Sequence, residues 1–333
     1  MNVLIYFCIA LLTALLIGLY RRGAQQFGWI DRPNARSSHS TPTPRGAGIA
    51  LALVIGAAAM LWVDSAQPLL RATLLAGLAI AAAGWIDDIR GLSARTRLLV
   101  YGLVCIGIVL QTASLQPPLD ATARALTLLA TVIGLLWLIN LYNFMDGING
   151  IAGFEAVFAL AAIALLGQGS AFNAQVGPFL PAAIGAIGGF LAWNFPSGKV
   201  FLGDSGSAFL GFLLGVLMLW SHLLGGPSIA VWLILLGVFI VDASYTLLAR
   251  LCTGQVWYEG HRLHAYQLVS RRWGSHGRTV AAVLTIDVAW LSPWAYMLQR
   301  GIVEPAFAIA VAYLPLILLC RWLKAGIPRP TRV

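Results

Sequence analysis

Long apolar runs constrain this chain more than any other feature of its sequence. Hydropathy divides it into eleven runs, near residues 2–20, 47–63, 69–86, 98–114, 124–142, 151–167, 177–195, 206–224, 229–249, 279–298 and 304–322. Only 10% of its 333 residues are charged, whereas a soluble domain has about 25%. A helix needs about 20 apolar residues to cross a bilayer, so each run suits one span. The sequence predicts an all-α polytopic membrane protein with about 11 transmembrane helices.

The runs follow one another without a linker that would separate two domains, which predicts a single integral membrane domain over residues 1–333. The first run has no basic stretch before it and no small-residue cleavage site after it. We therefore interpret it as a retained span and not as a signal peptide. The cysteines are scattered, and we interpret them as buried apolar fillers: Cys8, Cys105, Cys252 and Cys320.

Basic residues are distributed unevenly between the loops. Eighteen of the 21 Lys and Arg residues lie in alternate loops or in the C-terminal tail. The positive-inside rule places these loops in the cytoplasm, with the N-terminus outside and the C-terminus inside. An odd number of spans agrees with ends on opposite sides. The net charge of +9 is then explained by this loop bias and by attraction to anionic lipid or phosphate, and we predict no nucleic-acid partner.

A polar stretch at residues 143–150 interrupts the apolar sequence with Asn143, Asp146 and Asn149. Unpaired polar groups are costly in hydrocarbon, so this stretch should lie at the water interface or line a cavity. The spacing of three places neighbouring members on one face of a helical turn. A simple helix-cap turn is the alternative, although a cap does not require this many polar side chains.

An acidic pair, Asp87 and Asp88, ends the third run. Adjacent carboxylates repel each other, and the negative end of the helix dipole adds to the repulsion. The pair therefore needs a cation, either a divalent ion or one of Arg90, Arg95 and Arg97. A solvated acidic helix end is the alternative.

The segment 199–207 joins Lys199 to a Gly-Asp-Ser-Gly-Ser turn that contains Asp204 and opens the eighth run. It is not a P-loop, because the G-x-x-x-x-G-K-[ST] pattern is absent. Backbone N–H groups at a helix N-terminus suit an anion, and Asp204 would favour a metal ion that bridges to it. A plain helix cap would also explain this turn.

Two further loops carry histidine and arginine. In the loop 37–48, hydroxyl groups, His39 and Arg45 could hold phosphate oxygens, unless this is an ordinary solvated loop. The loop 257–267 offers His261, Arg262 and His264 for phosphate, and its aromatic residues for stacking on a base: Trp257, Tyr258 and Tyr266. A zinc site and an interfacial aromatic patch are the alternatives for this second loop.

The strong polar clusters all fall on the predicted cytoplasmic face. Carboxylates bind Mg²⁺, and Mg²⁺ with basic residues binds phosphate, which suggests phosphoryl transfer at the membrane surface. A transporter of a phosphorylated solute would distribute polar residues through the mid-bilayer instead. Carboxylates also lie within runs, among them Asp242 and Asp287, and an intramembrane acid is a functional candidate by default.

Four motifs give the chain a family resemblance. They are Trp-Ile-Asp-Asp at 85–88, Asn-Phe-Met-Asp-Gly-Ile-Asn-Gly at 143–150, Val-Phe-Leu-Gly-Asp-Ser-Gly-Ser at 200–207 and His-Arg-Leu-His-Ala-Tyr-Gln at 261–267. With these motifs in this order, the sequence resembles the polyprenyl-phosphate N-acetylhexosamine-1-phosphate transferases. That family includes the peptidoglycan translocase that makes lipid I and the enzymes that start O-antigen and enterobacterial common antigen. The motif-bearing part of the chain is 39–278.

The resemblance implies an enzyme of the bacterial inner membrane, with its N-terminus in the periplasm and its active site on the cytoplasmic face. Such an enzyme moves a sugar-1-phosphate from a UDP-N-acetylhexosamine to undecaprenyl phosphate and releases UMP. The implied cofactor is Mg²⁺, or Mn²⁺ in its place. A homodimer is a further expectation.

Roles carry over by position. The resemblance implies that Asp87, Asp88 and Asp146 are catalytic and that Asp204, with Asp87 and Asp146, binds the metal. It implies substrate contacts for Asn143, Asn149, Arg45, Arg97, Lys199, His261, Arg262 and His264.

Two departures from the family pattern bear on the substrate. Many members have Asp where this chain has Asn149, and the last motif has His-Arg-Leu-His in place of three consecutive histidines. The second departure argues against the peptidoglycan translocase. It favours initiation of O-antigen lipopolysaccharide from UDP-GlcNAc or a UDP-linked 6-deoxy sugar such as FucNAc or QuiNAc. A GlcNAc-1-phosphate transferase of common-antigen or teichoic-acid type is the runner-up.

Overall fold

The computed structural model describes residues 3–33, 41–115, 119–255 and 261–328 of the chain. These residues are mainly helical, and their only strands are the antiparallel pair β1 (Ile30–Asp31) and β2 (Thr43–Pro44). The helices are α1 (Val3–Phe27), α2 (Gly48–Trp62), α3 (Pro68–Arg90), α4 (Ala94–Thr112), α5 (Ala121–Met145), α6 (Ile151–Leu166), α7 (Ala171–Val176), α8 (Phe179–Asn194), α9 (Gly203–Leu223), α10 (Ile229–Leu235), α11 (Gly237–Cys252), α12 (Ala265–Trp273), α13 (His276–Ile286), α14 (Ser292–Gln299) and α15 (Pro305–Leu323). A 3₁₀ turn, Ala113–Leu115, extends α4, and a π-helical turn, Asp287–Leu291, joins α13 to α14.

Seven helices of the described residues are long and apolar enough to cross a membrane. An eighth span is obtained if α10 and α11, which meet at an angle of 77°, are counted as one bent helix. The remaining predicted runs form α2, α6 and α8, which have 15 or 16 residues each. Sixteen residues rise only about 24 Å, less than the ~30 Å hydrocarbon core. The chain is therefore an all-α polytopic membrane protein with seven or eight apolar spans, and the predicted count of eleven is not confirmed.

Helix α9 is the central helix of the bundle. Its apolar window is 89% buried within the protein, against 17–44% for the other long spans. It packs against α2, α3 and α5, while α1 lies against α8 on the outside. Large apolar side chains of the outer helices remain exposed, as expected for surfaces that face lipid, among them Leu12, Leu103, Leu126 and Leu318. The start of α9 is thus held between several helices, which matters for the polar motifs described below.

The cysteine prediction is only half right. Cys105 and Cys320 are buried, whereas Cys8 and Cys252 are exposed on the protein surface. A cysteine on a surface that faces lipid remains in an apolar environment, so exposure of its thiol on the protein surface carries no cost.

The orientation of the chain is tested by two exposed loop positions on opposite sides of the predicted bilayer. In a background without the four native cysteines, we expect an impermeant maleimide to label Ser65→Cys on intact cells. Ala94→Cys should react only after the membrane is permeabilised. Both positions are exposed in the structure, so access to reagent is limited by the membrane and not by packing. The reverse labelling pattern would contradict the predicted topology.

Candidate active site

The first loop is hydrogen-bonded to the segment that precedes α9. The amide of Phe201 donates to the carbonyl of Pro44 at 2.8 Å, and the amide of Gly48 donates to the carbonyl of Leu202 at 2.9 Å. These bonds align residues 44–48 with residues 201–202, although the two segments are more than 150 positions apart in sequence. As a result, Arg45 lies beside the first turn of α9.

Two glycines allow α2 and α3 to approach the same turn closely. A Cβ atom at Gly48 would lie 2.1 Å from the amide nitrogen of Gly206, and one at Gly84 would lie 2.5 Å from the carbonyl oxygen of Asp204. Both distances are to backbone atoms, which cannot rotate away. Because Gly84 precedes the acidic pair by about one helical turn, this contact places Asp87 and Asp88 next to Asp204.

Asp88 caps the N-terminus of α9. Its carboxylate accepts hydrogen bonds from the backbone N–H groups of Asp204, at 2.9 Å, and Ser205, at 3.1 Å. It also accepts from Nε of Arg45 at 2.8 Å, and its side chain is only 1% exposed. A carboxylate at this end of a helix is stabilised by unpaired N–H groups and by the helix dipole. The anion position predicted at this helix start is therefore filled by the chain's own Asp88.

Two arginines lie between three carboxylates. Nη2 of Arg45 contacts Oδ1 of Asp204 at 2.6 Å, and Nη1 of Arg97 contacts Oδ2 of Asp87 at 2.7 Å. The same Nη1 atom also contacts Asp204, so a single cationic nitrogen bridges two carboxylates. The sequence predicted that the acidic pair needs a cation, and the structure supplies Arg97 for Asp87 and Arg45 for Asp88.

The charge of Arg45 is maintained by this arrangement. Burial lowers the pKa of its guanidinium, but the carboxylates of Asp204 and Asp88 oppose that effect and raise the pKa above the ordinary value overall. Arg45 therefore remains a cation at every physiological pH.

The polar stretch 143–150 borders the same cluster. Nδ2 of Asn143 donates to Oγ of Ser207 at 2.9 Å, and the Asn143 side chain also contacts the carboxylate of Asp204. Asp146 ends α5. Burial raises the pKa of Asp146 well above its usual range; the nearby Asp204 carboxylate adds to this, and Arg45 opposes it. Asp146 therefore lies within electrostatic range of the cluster and holds a proton more readily than an ordinary aspartate.

The histidine loop reaches the site through a tyrosine. His264 is 3% exposed, and its Nδ1 atom lies 3.4 Å from Oδ1 of Asp242. Asp242 also accepts the N–H groups of Ala265 and Tyr266, so this intramembrane acid caps α12 as Asp88 caps α9. The hydroxyl of Tyr266 then donates to the carbonyl of Phe144 at 3.0 Å. His264 in this position is covered and serves the loop's own structure.

His261 is half-buried and stacks on His264, with ring centroids 4.8 Å apart. Burial lowers the pKa of His261 to about 3, and the neighbouring His264 and Arg250 act in the same direction. The imidazole is therefore neutral near pH 7. A contact with phosphate from His261 would be made by a neutral N–H donor and not by a cation.

Other predicted substrate-binding residues occupy the surroundings of the cluster. Asn149 donates from Nδ2 to the carbonyl of Pro196 and from its backbone to Nδ1 of His276. Lys199 is exposed, and the carbonyl of Arg262 accepts from Arg271 at 2.6 Å. Within the described ranges, no contact joins Asn149 or Lys199 to the three clustered carboxylates. His39, Trp257 and Tyr258 lie outside the described residues.

Metal ligands are not gathered in this structure. In the described part of the chain, no three His, Cys, Asp or Glu side chains come together in a group that could hold a metal ion. The predicted trio of Asp87, Asp146 and Asp204 is separated by the guanidinium group of Arg97, which occupies the space between two of its members.

Two aromatic residues near the cluster were missed by the sequence analysis. Tyr101 lies within electrostatic range of Asp204 and Asp87, and its position one helical turn after Arg97 was a usable signal. Tyr20 accepts from Nε1 of Trp85 at 3.2 Å and donates to the carbonyl of Arg45 at 2.8 Å. Nothing in its apolar run distinguishes Tyr20 from an ordinary interfacial tyrosine.

Comparison with known proteins identifies relatives of this chain. The family model described as glycosyl transferase family 4 matches residues 70–222, which include the acidic pair, the polar stretch and the start of α9. The chain is 27% identical over 294 residues to a probable undecaprenyl-phosphate N-acetylglucosaminyl 1-phosphate transferase of Bacillus subtilis, covering 86% of this chain and 82% of that protein. It is 29% identical over 318 residues to the decaprenyl-phosphate N-acetylglucosaminephosphotransferase of Mycolicibacterium smegmatis, covering 82% and 76%. The corresponding protein of Mycobacterium tuberculosis is 28% identical over 315 residues, with 82% and 77% covered.

The described structure is a membrane helix bundle with carboxylates and arginines gathered at one end. The partial match to the glycosyl transferase family 4 model and the named relatives identify the chain as an enzyme of the polyprenyl-phosphate sugar-1-phosphate transferase class. A transporter, the alternative from the sequence, receives no support from these relatives.

The close packing at the start of α9 is tested by Gly84→Ala. The added methyl group would meet the Asp204 carbonyl, so we expect an overpacking cost of about 1–3 kcal/mol and a lower unfolding temperature. Gly102→Ala in α4 is the matched control, because a Cβ atom there meets nothing within 4 Å. An unchanged unfolding temperature for Gly84→Ala would contradict the described contact.

The neutral state of His261 predicts acid sensitivity. The unfolded chain binds a proton at this histidine near pH 6.5, whereas the folded protein, with a pKa of about 3, does not. Stability should therefore fall as pH decreases between these values, with the unfolding equilibrium increasing up to about tenfold per pH unit. Thermal unfolding from pH 7 to pH 4.5 measures this dependence, and His261→Gln should weaken it. The exposed His222→Gln is the control and should follow the wild type; an identical slope in His261→Gln would refute the prediction.

Proposed function

We propose that this enzyme transfers an N-acetylhexosamine-1-phosphate from a UDP-sugar to undecaprenyl phosphate and releases UMP. The observation that carries the proposal is the cluster in which Arg45 and Arg97 pair with Asp87, Asp88 and Asp204. These five side chains come from three separate parts of the chain and meet at one end of the bundle. A site for a diphosphate needs cationic groups that neutralise its charge, and carboxylates contribute to such a site by holding a divalent cation.

The reaction is a displacement at phosphorus. An oxygen of the lipid phosphate attacks the β-phosphorus, which carries the sugar. The bond between that phosphorus and the bridging oxygen breaks, and UMP leaves with the bridging oxygen. A lipid phosphate has a second pKa near 6 if it behaves like a phosphoserine, so it is largely ionised at neutral pH. Its attack then needs positioning and charge neutralisation more than removal of a proton.

The arginines are suited to neutralise the diphosphate. A guanidinium has five N–H donors, and the contacts of Arg97 in the described structure use only Nη1. Its side chain is 31% exposed, so the remaining donors can face a phosphate. Arg45 is fixed by Asp88 from one side and by Asp204 from the other, which orients its fork before substrate arrives.

The chemistry of the nearby donor groups supports Mg²⁺ as the proposed cofactor, although the described structure does not gather them around one point. Carboxylate oxygens of Asp87, Asp146 and Asp204 and the amide oxygen of Asn143 are hard ligands of the type that Mg²⁺ prefers, and Mn²⁺ accepts the same set. The cationic Nη1 atom of Arg97 already lies between Asp87 and Asp204, which identifies this space as one that stabilises positive charge. We propose that these residues hold the ion after Arg97 turns toward substrate. When bound, the ion would neutralise charge on the diphosphate.

Asp88 has a positioning role in this proposal. Its oxygens are engaged by Arg45 and by the N-terminus of α9, and its side chain is almost fully buried. It orients Arg45 and the first turn of α9 without reaching a substrate. Asp87 and Asp204 remain the candidates for direct contact with metal and phosphate.

We propose that an apolar cavity beside the histidine loop takes part of the lipid acceptor. It has a volume of about 400 Å³ and lies between α11, α12, α13 and α15. Tyr266 forms part of its wall and also bonds to Phe144, so the cavity adjoins the polar stretch 143–150. A hydrocarbon chain held there would keep its phosphate close to the cluster.

The assignment is tested by Asp204→Asn and Asp87→Asn. Each change keeps the side-chain shape but removes a negative charge, so we expect UMP release to fall by about 10²-fold or more. Purified protein is assayed with undecaprenyl phosphate, a UDP-N-acetylhexosamine and Mg²⁺, and thermal unfolding verifies that each variant is folded. Chelation should abolish UMP release, and added Mg²⁺ or Mn²⁺ should restore it.

Asp120→Asn is the matched control for these variants. Asp120 is an exposed N-cap of α5, and asparagine caps a helix equally well. Its activity should equal that of the wild type. Full activity in Asp204→Asn would contradict the proposed role of Asp204.

The sugar is identified by a panel of donors. We propose UDP-GlcNAc or a UDP-linked 6-deoxy sugar such as FucNAc or QuiNAc, in a pathway that builds O-antigen or another surface polysaccharide. Mass analysis of the lipid product after incubation with each donor distinguishes them. Relatives named for N-acetylglucosamine transfer support the first of these donors.

A further inference from the structure

Two buried carboxyl groups lie together inside the helix bundle, apart from the arginine cluster. Glu155 is in the second turn of α6 and is 1% exposed; Asp287 begins the π-helical turn between α13 and α14 and is fully buried. Helix α6 packs against α13 and α14, and the two side chains face each other across this contact. Each acid lies within an apolar stretch. Glu155 is about 6 Å along the helix axis from the start of α6, and Asp287 is about 16 Å from the start of α13.

Neither carboxyl group is neutralised by a partner of the usual kind. In the described part of the chain, all four of their oxygen atoms are buried and accept no hydrogen bond from a donor group. No Lys, Arg or His among the described residues forms an ion pair with them. A titratable neighbour, Tyr142, is within electrostatic range of both but donates its hydroxyl hydrogen to the carbonyl of Ala152 at 2.8 Å.

Other titratable groups on the surrounding helices are few. They are Arg124 of α5, Asp204 and His222 of α9, Asp242, Tyr245, Arg250 and Cys252 of α11, His276 and Arg278 of α13 and Tyr296 of α14; α8 and α10 carry none. Those of α9 and α13 lie at the ends of their helices, close to the water interface.

Two ionised carboxylates cannot remain side by side in such a place. Burial of one unpaired carboxylate in a low-dielectric interior is already very costly, and a second one adds direct repulsion. A shared proton removes this cost, because a protonated carboxyl donates to its neighbour and supplies the missing hydrogen bond. The π-helical turn is consistent with such a site, since π turns within helices frequently occur at functional positions.

We propose that Glu155 and Asp287 form a proton-binding site inside the membrane-spanning bundle, which holds at least one proton at neutral pH. This site does not depend on the proposed transfer reaction. A proton is favoured over a metal ion as the ligand because no third His, Cys, Asp or Glu of the described residues joins the pair. A metal cation would require more oxygen ligands than two side chains offer.

The carboxyl pair also stabilises the position of α6, which directly follows the polar stretch 143–150. Helix α6 begins directly after Asn149 and Gly150, and the backbone amide of Asn149 donates to Nδ1 of His276 at the start of α13. The two helices are thus joined once at the water interface and again at the carboxyl pair. Loss of the proton would separate them at the deeper contact.

Infrared spectroscopy tests the proposal on purified, detergent-solubilised protein at pH 7. We expect the carbonyl band of a protonated carboxylic acid in the wild type, and a loss or shift of one component of that band in both Glu155→Gln and Asp287→Asn. Glu304→Gln, at an exposed glutamate, should leave the band unchanged. An acid band that neither variant alters, or the absence of any such band in the wild type, would overturn the proposal.

Chemical modification of the wild type gives a second measurement that requires no variant to fold. Dicyclohexylcarbodiimide adds to a protonated carboxyl group in an apolar setting, and rearrangement leaves a stable N-acylurea that mass spectrometry locates. We expect modification of Glu155 or Asp287 at pH 7, at least tenfold more than at Glu304. Equal modification of all three, or none at the pair, would contradict the proposal.

The pH dependence of unfolding separates a proton from a salt-derived cation. Since the unfolded chain releases its carboxyl protons near pH 4, the carboxyl pair should contribute a loss of stability as pH rises above that value, by up to about tenfold in the unfolding equilibrium per pH unit and opposite in sign to the contribution of His261. The double variant Glu155→Gln/Asp287→Asn should lack this component. If NaCl or KCl stabilised the wild type but not the double variant, the ligand of the pair would be a monovalent cation, and the assignment of a proton would be overturned.

Discussion

The pairing of Arg45 and Arg97 with the carboxylates at the start of α9 determines how the rest of the site is arranged. Three carboxylates in contact would repel one another strongly at the edge of an apolar bundle. The two guanidinium groups turn that repulsion into attraction, because each contacts two carboxylates at once. The first loop, the end of α3 and the start of α4 are held against α9 by these contacts.

Backbone contacts bring the charged side chains close enough to pair. Glycines at positions 48 and 84 permit direct contact of α2 and α3 with the first turn of α9, and hydrogen bonds between residues 44–48 and 201–202 set the register. Capping then consumes the N–H groups that a helix start leaves unpaired. Asp88 does this for α9, and Asp242 does the same for α12, so two acids placed in apolar surroundings are used to fix helix starts.

The sequence predicts much of this architecture, and its failures have physical causes. Hydropathy locates the helices, since an apolar run needs no tertiary information, but it cannot tell a 16-residue helix from a full span. Charge repulsion predicts that Asp87 and Asp88 need a cation. It does not select Arg45, which is separated from Asp204 by 159 positions and meets it only through tertiary contacts. Glu155 lies within the run 151–167 and could have been noticed by the same criterion as Asp242 and Asp287. The sequence does not show that it meets Asp287, because that residue lies in another helix.

The central claim is that charge pairing joins the first loop to the start of α9, and a double-mutant cycle tests it most directly. Arg45→Gln, Asp204→Asn and the double variant are compared with the wild type by unfolding in detergent. Residues in direct contact couple by roughly 0.5–3 kcal/mol, so the two single effects should add up to more than the effect of the double variant by about 1 kcal/mol. Additive effects within about 0.3 kcal/mol would show that the two side chains do not interact, and would contradict the account.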